Sequence, residues 1–182
     1  LLREAEDRAA IDEKLIEDRH IDLRDFPAVV GFWEDDLAVD RELTSVFVGV
    51  EATGECTGVS RLKGRLSIWQ SNRSAATGGY EQRDFWPEQY PNVPYHFDPK
   101  DPAPDIRTRP WYRAAREAGH PVWTETYPFL GVAGVAPTQG LTHAAPIRGS
   151  DGALLGVVDV DFELGGLSRF RSTVSVGRSG FT

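Results

Sequence analysis

The spacing of apolar positions changes several times along this chain, and each change predicts an element. From Leu1 to His20, apolar residues recur at Leu2, Ala5, Ala9, Ile11, Leu15 and Ile16 within a run rich in Glu, Asp and Arg. That spacing predicts an amphipathic helix about 30 Å long at ~1.5 Å per residue. A second helical stretch is expected between Ile21 and Arg41. There Pro27 suits a first turn after Asp25, and Val29, Val30, Phe32, Trp33 and Leu37 supply a core face. Leu43 to Val50 is β-branched and aromatic, which predicts a strand. Glu51 to Glu55 reads as a turn and Gly58 to Trp69 as the returning strand of a hairpin. Gln70 to Lys100 has polar runs, Gly78-Gly79 and scattered aromatics. It predicts a long irregular connection, either packed over the core or serving as a lid.

The pattern sharpens from Asp105 to Tyr127. Pro110 can open a helix, Ala114, Ala115 and Ala118 favour its continuation, and Gly119 is a natural stop. After His120-Pro121, the stretch from Val122 to Tyr127 alternates as a strand would. Val122, Thr124 and Thr126 fall on one side, and Trp123, Glu125 and Tyr127 on the other. Leu141 to Ile147 and Ala153 to Asp161 read as strands joined by a Gly149-Ser150-Asp151-Gly152 turn. Phe162 to Phe170 starts a helix or loop anchored by Leu164, Leu167 and Phe170.

Composition narrows the function. A chain of 182 residues fits one domain with a substantial core. No apolar run approaches the ~18 residues of a membrane span, and no signal-peptide pattern is present. The abrupt start at Leu1 and end at Thr182 suggest a piece of a longer protein. The net charge of −8 argues against nucleic acid and against anionic lipid as partners. Cys56, the single cysteine, cannot form an internal disulfide and reads as structural. There is no G-x-S-x-G elbow and no H-E-x-x-H, and His20, His96, His120 and His143 lack chelating spacing. Asp98, Asp101 and Asp105 lack the ligand alternation of a calcium loop. Gly131 to Gly140 lacks the glycine pattern and lysine of a phosphate cradle. These observations predict neither an enzyme nor a cofactor or metal.

The candidate chemistry lies in the Asp105–Tyr127 stretch, read here as the wall of a small-molecule pocket. Arg109 is a permanent cation whose planar fork suits a carboxylate, and Pro110 pushes it toward an extended backbone. The competing reading is a surface cation packed on a ring. The segments DIRTRPWYRAA, WTETYPF and GALLGVVDVDFELGGLSRF, with the Ser150-Asp151-Gly152 turn, resemble the Cache family of bacterial extracytoplasmic sensor domains. The resemblance covers roughly Leu2 to Phe170. It implies an α+β fold: a PAS-like antiparallel sheet flanked by helices, preceded by a long N-terminal helix. It also implies a stalk region at 1–41, a sensor module at 42–173 and a link toward a missing module or membrane segment at 174–182.

In family members that bind amino acids, the motif is a Tyr, then R-x-W-Y, then a Tyr and an Asp. By that resemblance Arg109 and Trp111 match the carboxylate side, and Tyr112, Tyr127 and Asp161 the amine side. The first Tyr is replaced by Pro104, which keeps a simple carboxylate such as acetate in competition with an amino acid. A buried Asp161 needs a partner: an ammonium ligand supplies one, whereas a plain carboxylate repels it unless it is protonated, paired or turned away. Capping of the following helix is the other role open to it. Asp159, two residues earlier, points to the same side, so periodicity does not choose between them. The function implied is ligand sensing in the ectodomain of a transmembrane receptor of chemoreceptor, histidine kinase or nucleotide cyclase type. It would lie on the periplasmic or extracellular side of a bacterial inner membrane and could form a homodimer through the first helix. The alternative is a structural or protein-interaction ectodomain.

Overall fold

The computed structural model describes residues 6, 7, 9–11, 14, 22, 23, 25–39, 43–62, 64–98, 102–130 and 138–164. The first full helix, α1 (Phe26–Val39), begins as expected. Asp25 Oδ1 accepts the Ala28 N–H at 3.2 Å, and Pro27 sits in the first turn, where a missing N–H costs nothing. Its Val29, Val30, Trp33 and Leu37 are buried.

The strands are β1 (Ser45–Val50), β2 (Cys56–Leu62), β3 (Arg65–Arg73), β4 (Tyr80–Phe85), β5 (Pro102–Ala103), β6 (Val122–Trp123), β7 (Tyr127–Pro128), β8 (Gln139–Arg148) and β9 (Leu154–Glu163). They form a nine-stranded sheet in the order β5-β4-β3-β2-β1-β9-β8-β6, with β7 also on β8. The pairings are antiparallel. The chain is therefore α+β, and its first strand lies between the second and the last.

Residues opposite each other in the register share a face, so the sheet has two distinct sides. Val46, Val48, Val59, Ile68, Val158, Val160 and Phe162 face α1 and form the larger core with Trp33 and Leu37. Cys56, Trp69, Val157 and Ala144 face the other way. They pack with Trp111, Tyr112 and Ala115 of helix α2 (Pro110–Ala118) and with Tyr127, Phe47 and Phe129. Gly119, at φ 72°, ends α2 in the left-handed region and donates to Ala115 O.

Three sequence expectations need correction. The expected strand Gly58–Trp69 is two strands, because Gly64 at φ +82° turns the chain between β2 and β3. The supposedly irregular Gln70–Lys100 contains the end of β3 and all of β4, joined by a turn in which Gly78 has φ +72°. Finally, Val122–Tyr127 is not one strand. Trp123 pairs with His143 and Tyr127 with Gly140, so four steps along this segment match three along β8. The extra residue reverses the alternation. Tyr127 and Val122 pack on the α2 side, whereas Trp123 packs on the α1 side near His143 and Phe162 and donates to Glu6.

Of the expected N-terminal helix, Glu6, Asp7, Ala9, Ala10, Ile11 and Lys14 are helical, and Ala9 is buried. The remainder of that helix, Gly131 to Pro137, and the chain from Gly165 onward, with the proposed C-terminal link, lie outside the described residues. No described helix is long and apolar enough to cross a membrane.

Candidate functional site

The sheet face under α2 combines aromatic rings with buried charge. Its closest approach to the helix is at Gly49, where a Cβ would lie 2.8 Å from both the Tyr112 ring and Ile106. Further along β1, Phe47 lies over Gly58 and meets Trp69 edge-on, with ring centroids 5.9 Å apart. Phe47 stands opposite Asp159, and Ser45 opposite Asp161. Two carboxylates of the central strand β9 thus emerge side by side on the aromatic face. Asp159 is fully buried and Asp161 is 6% exposed.

The two acids have different partners. Asp161 accepts the Ser45 hydroxyl at 3.0 Å and the Thr142 hydroxyl from the opposite neighbouring strand. It is therefore tied to both neighbouring strands of the sheet, and the chain that follows residue 164 lies outside the described residues. Thr142 also meets the Tyr127 hydroxyl at 2.6 Å, which links Tyr127 to Asp161 through one side chain. Asp159 Oδ1 accepts the Phe47 N–H at 3.0 Å, while its buried Oδ2 has no hydrogen-bond partner among the described residues. Trp69 Nε1, on the same face, is a buried donor that also lacks one.

Electrostatics follow from this burial. Desolvation raises the Asp159 carboxyl well above the ordinary range, and the neighbouring Asp161 raises it further. Desolvation also raises Asp161, against the hydrogen bonds from Thr142 and Ser45. Burial and then the two acids push up the Tyr127 phenol and the Cys56 thiol, so Cys56 stays protonated and inert.

Arg109 supplies the opposing charge. It stands at the N-cap of α2 with extended backbone, as the following proline requires. Its Nη2 donates to Pro128 O at 3.1 Å, and its guanidinium lies 5.7 Å from the Tyr127 ring centroid. Its charge favours the ionised forms of Asp159, Asp161 and Tyr127.

The structure thus gathers Arg109, Tyr127 and Asp161, with Trp111 buried in the same aromatic cluster. Tyr112 belongs to that cluster too, but its hydroxyl donates to Glu51 at 2.9 Å. Sequence reasoning had not chosen Asp159 and had missed Thr142, Ser45, Phe47 and Trp69. The available signal was the Asp-x-Asp period of β9, which puts both acids on one face.

Asp105, one member of the dismissed calcium triad, is instead clasped by Arg107 Nε and Nη2, and Asp101 lies outside the described residues. Among the described residues no cluster of metal-ligating side chains occurs.

No family model matches the sequence, and no curated protein matches it. Among solved structures, the fold is similar to that of a chain titled methyl-accepting chemotaxis protein X. The two are 15% identical, with 85% of this chain and 51% of that chain covered and a TM-score of 0.49. It is also similar to the ligand-binding domain of the Pseudomonas aeruginosa amino acid chemoreceptor PctC in complex with GABA. Identity there is 25%, coverage 74% of this chain and 41% of that one, and the TM-score 0.36. Both of these structures are of chemoreceptors, and the chain spans about half the length of each or less.

Proposed function

We propose that this chain is the extracytoplasmic ligand-sensing domain of a transmembrane receptor and that it binds a small amino-acid-type molecule between α2 and the sheet. The observation that carries this reading is the pair of buried carboxylates, Asp159 and Asp161, beside Arg109 on an aromatic face. A buried carboxylate without a cation is costly. One arginine against two acids leaves room for a ligand ammonium. A plain carboxylate such as acetate would bring no cation to the pair and would be repelled by Asp161 wherever that acid is ionised, above about pH 6. The aromatic walls, Trp111, Tyr127 and Phe129, favour the organic body of such a ligand and, by their π faces, its cation. Arg109 is the group suited to the ligand carboxylate, by exchanging its bond to Pro128 O.

In this reading the N-terminal helical region carries the binding signal toward a membrane-anchored output domain, and a second copy pairs along it. The test is a thermal-shift screen of proteinogenic amino acids, GABA, amines and short carboxylates, with Arg109→Ala alongside. A ligand at ~100 times its Kd adds ~2.7 kcal/mol and raises Tm by roughly 5–10 °C at this size. Amino acids should shift the wild type, acetate should not, and Arg109→Ala should lose the shift. Equal shifts in the two proteins, or none from any compound, would sink the proposal.

A further inference from the structure

The free hydrogen-bonding capacity of this face lies at Asp159, the acid that the family resemblance did not single out. Both oxygens of Asp161 are engaged, by Ser45 and by Thr142. The Tyr127 hydroxyl is engaged with the same Thr142. Asp159 spends Oδ1 on the Phe47 N–H and keeps Oδ2 fully buried without a donor among the described residues. A buried acceptor left unmade is expensive, and a charged one more so.

Resting on the pocket reading above, we propose that Asp159 is a specificity-determining residue whose Oδ2 receives an N–H of the ligand, which restricts the ligands to ammonium compounds that carry an N–H and excludes quaternary ones. The rings nearby could by themselves surround a quaternary ammonium. Such a group has no N–H, however, and would seal Oδ2 from water without pairing it. A primary ammonium carries three donors and can bond Asp159 while its charge is shared with Asp161. The charged and titratable groups facing the pair are Arg109 from the start of α2, Tyr127 from β7, Cys56 from β2 and Glu163 further along β9. Arg109 is the one cation among them.

The test uses the proteinogenic amino acids and GABA, each beside its fully N-methylated (quaternary) derivative, on wild type and Asp159→Asn. Asparagine keeps the shape and an acceptor for Phe47 but puts an amide NH2, which cannot become an anion, where Oδ2 stood. The expected results are binding of the amines that carry an N–H, with full N-methylation weakening binding about tenfold or more. Without ligand, Asp159→Asn should melt within a few degrees of wild type, because it exchanges one unpaired buried polar group for another, and it should bind the amines about tenfold more weakly or worse. A structural role alone would lower its Tm by more than that. Overturning results are quaternary derivatives that bind as well as their parents, or an Asp159→Asn protein that is destabilised by more than that or keeps full affinity. If Asp159→Asn fails to fold, that too contradicts the proposal, and the quaternary comparison on wild type still decides it. No binding by any amine that carries an N–H removes the pocket reading itself, whereas binding that ignores Asp159 removes only this inference.

Discussion

At the scale of single residues, the site depends on positions that have no side chain. Gly58 is required because a Cβ there would lie 2.0 Å from Phe47 Cδ1 and 2.4 Å from the Val46 carbonyl oxygen. One of those atoms is backbone, so the collision cannot be relieved by a rotamer change alone. Gly58→Ala should therefore cost about 1–3 kcal/mol, the ordinary price of overpacking. It should also move Phe47 off the Trp69 edge. Chemical denaturation gives the first quantity and a change in tryptophan emission the second; a mutant with wild-type stability and emission would refute the account. Such a requirement is not legible in one sequence, since it concerns a ring on the neighbouring strand. Local chemistry was legible. Pro110 opens α2, Gly119 closes it, and Asp25 caps α1, each for reasons contained within a few residues. Tyr112 lies between these cases. Its place in the helix was readable, but its partner Glu51, sixty-one positions away, was not.

At the scale of elements, the turn between β1 and β2 is tied to the chain entering α2. Arg107 grips Asp105 with Nε at 2.9 Å and Nη2 at 2.6 Å, and its Nη1 donates to Glu51 O at 2.9 Å. Tyr80 donates to Thr53 O and to Asp105. Gly54 fits beneath them only because it lacks a Cβ and accepts φ +73°. This clasp holds the residue two before Arg109 and so sets the angle at which α2 meets the sheet. The pair is nearly one-third exposed, which limits its contribution to stability. Arg107→Ala should cost about 1 kcal/mol, and ligand affinity should fall along with it. Arg107→Lys should not restore affinity, because an ammonium lacks the two-pronged fork. Restored binding with lysine would mean that charge alone suffices. The expected elements that failed were those whose apolar pattern is weak. The sequence of β4, YEQRDF, is mostly polar because much of the strand is only half-buried, and its pairing with β3 gives it a strand's shape without a strand's composition. The extra residue between Trp123 and Tyr127 likewise leaves no compositional mark, although it decides which of those rings joins the site.

At the scale of the whole molecule, the sheet separates an apolar core on the α1 side from an acidic aromatic face on the other, and the buried acids of that face respond to pH in the opposite sense to Asp105 at the entry to α2. The α1 side is built mainly from valine, isoleucine, leucine and aromatic side chains, with Glu34 raised and His143 lowered by burial at its margin. The α2 side buries Asp159 and Asp161, whose carboxyls are raised mainly by desolvation, Asp161 to about 6. A carboxyl raised in the folded state binds more protons folded than unfolded. Its contribution to stability is complete below the ordinary carboxylate range and is lost as pH rises through the folded value. Asp105 behaves in the opposite sense. Arg107 lowers it, so its contribution is present at neutral pH and is lost on acidification. Because the two effects overlap in a plain melting curve, the informative quantity is the difference between wild type and Asp161→Asn. In the ligand-free protein that difference should move against wild type as pH rises from about 4 to 7. Over the same window, affinity for a ligand ammonium should increase, since a cation favours the ionised pair that low pH neutralises. Calorimetry in two buffers of different ionisation enthalpy would register the proton released on binding. A flat difference in Tm, or binding that releases no proton near pH 6, would mean that the two acids are already charged and paired without a ligand. In that case the buried face would be a finished piece of structure rather than a seat for a cation.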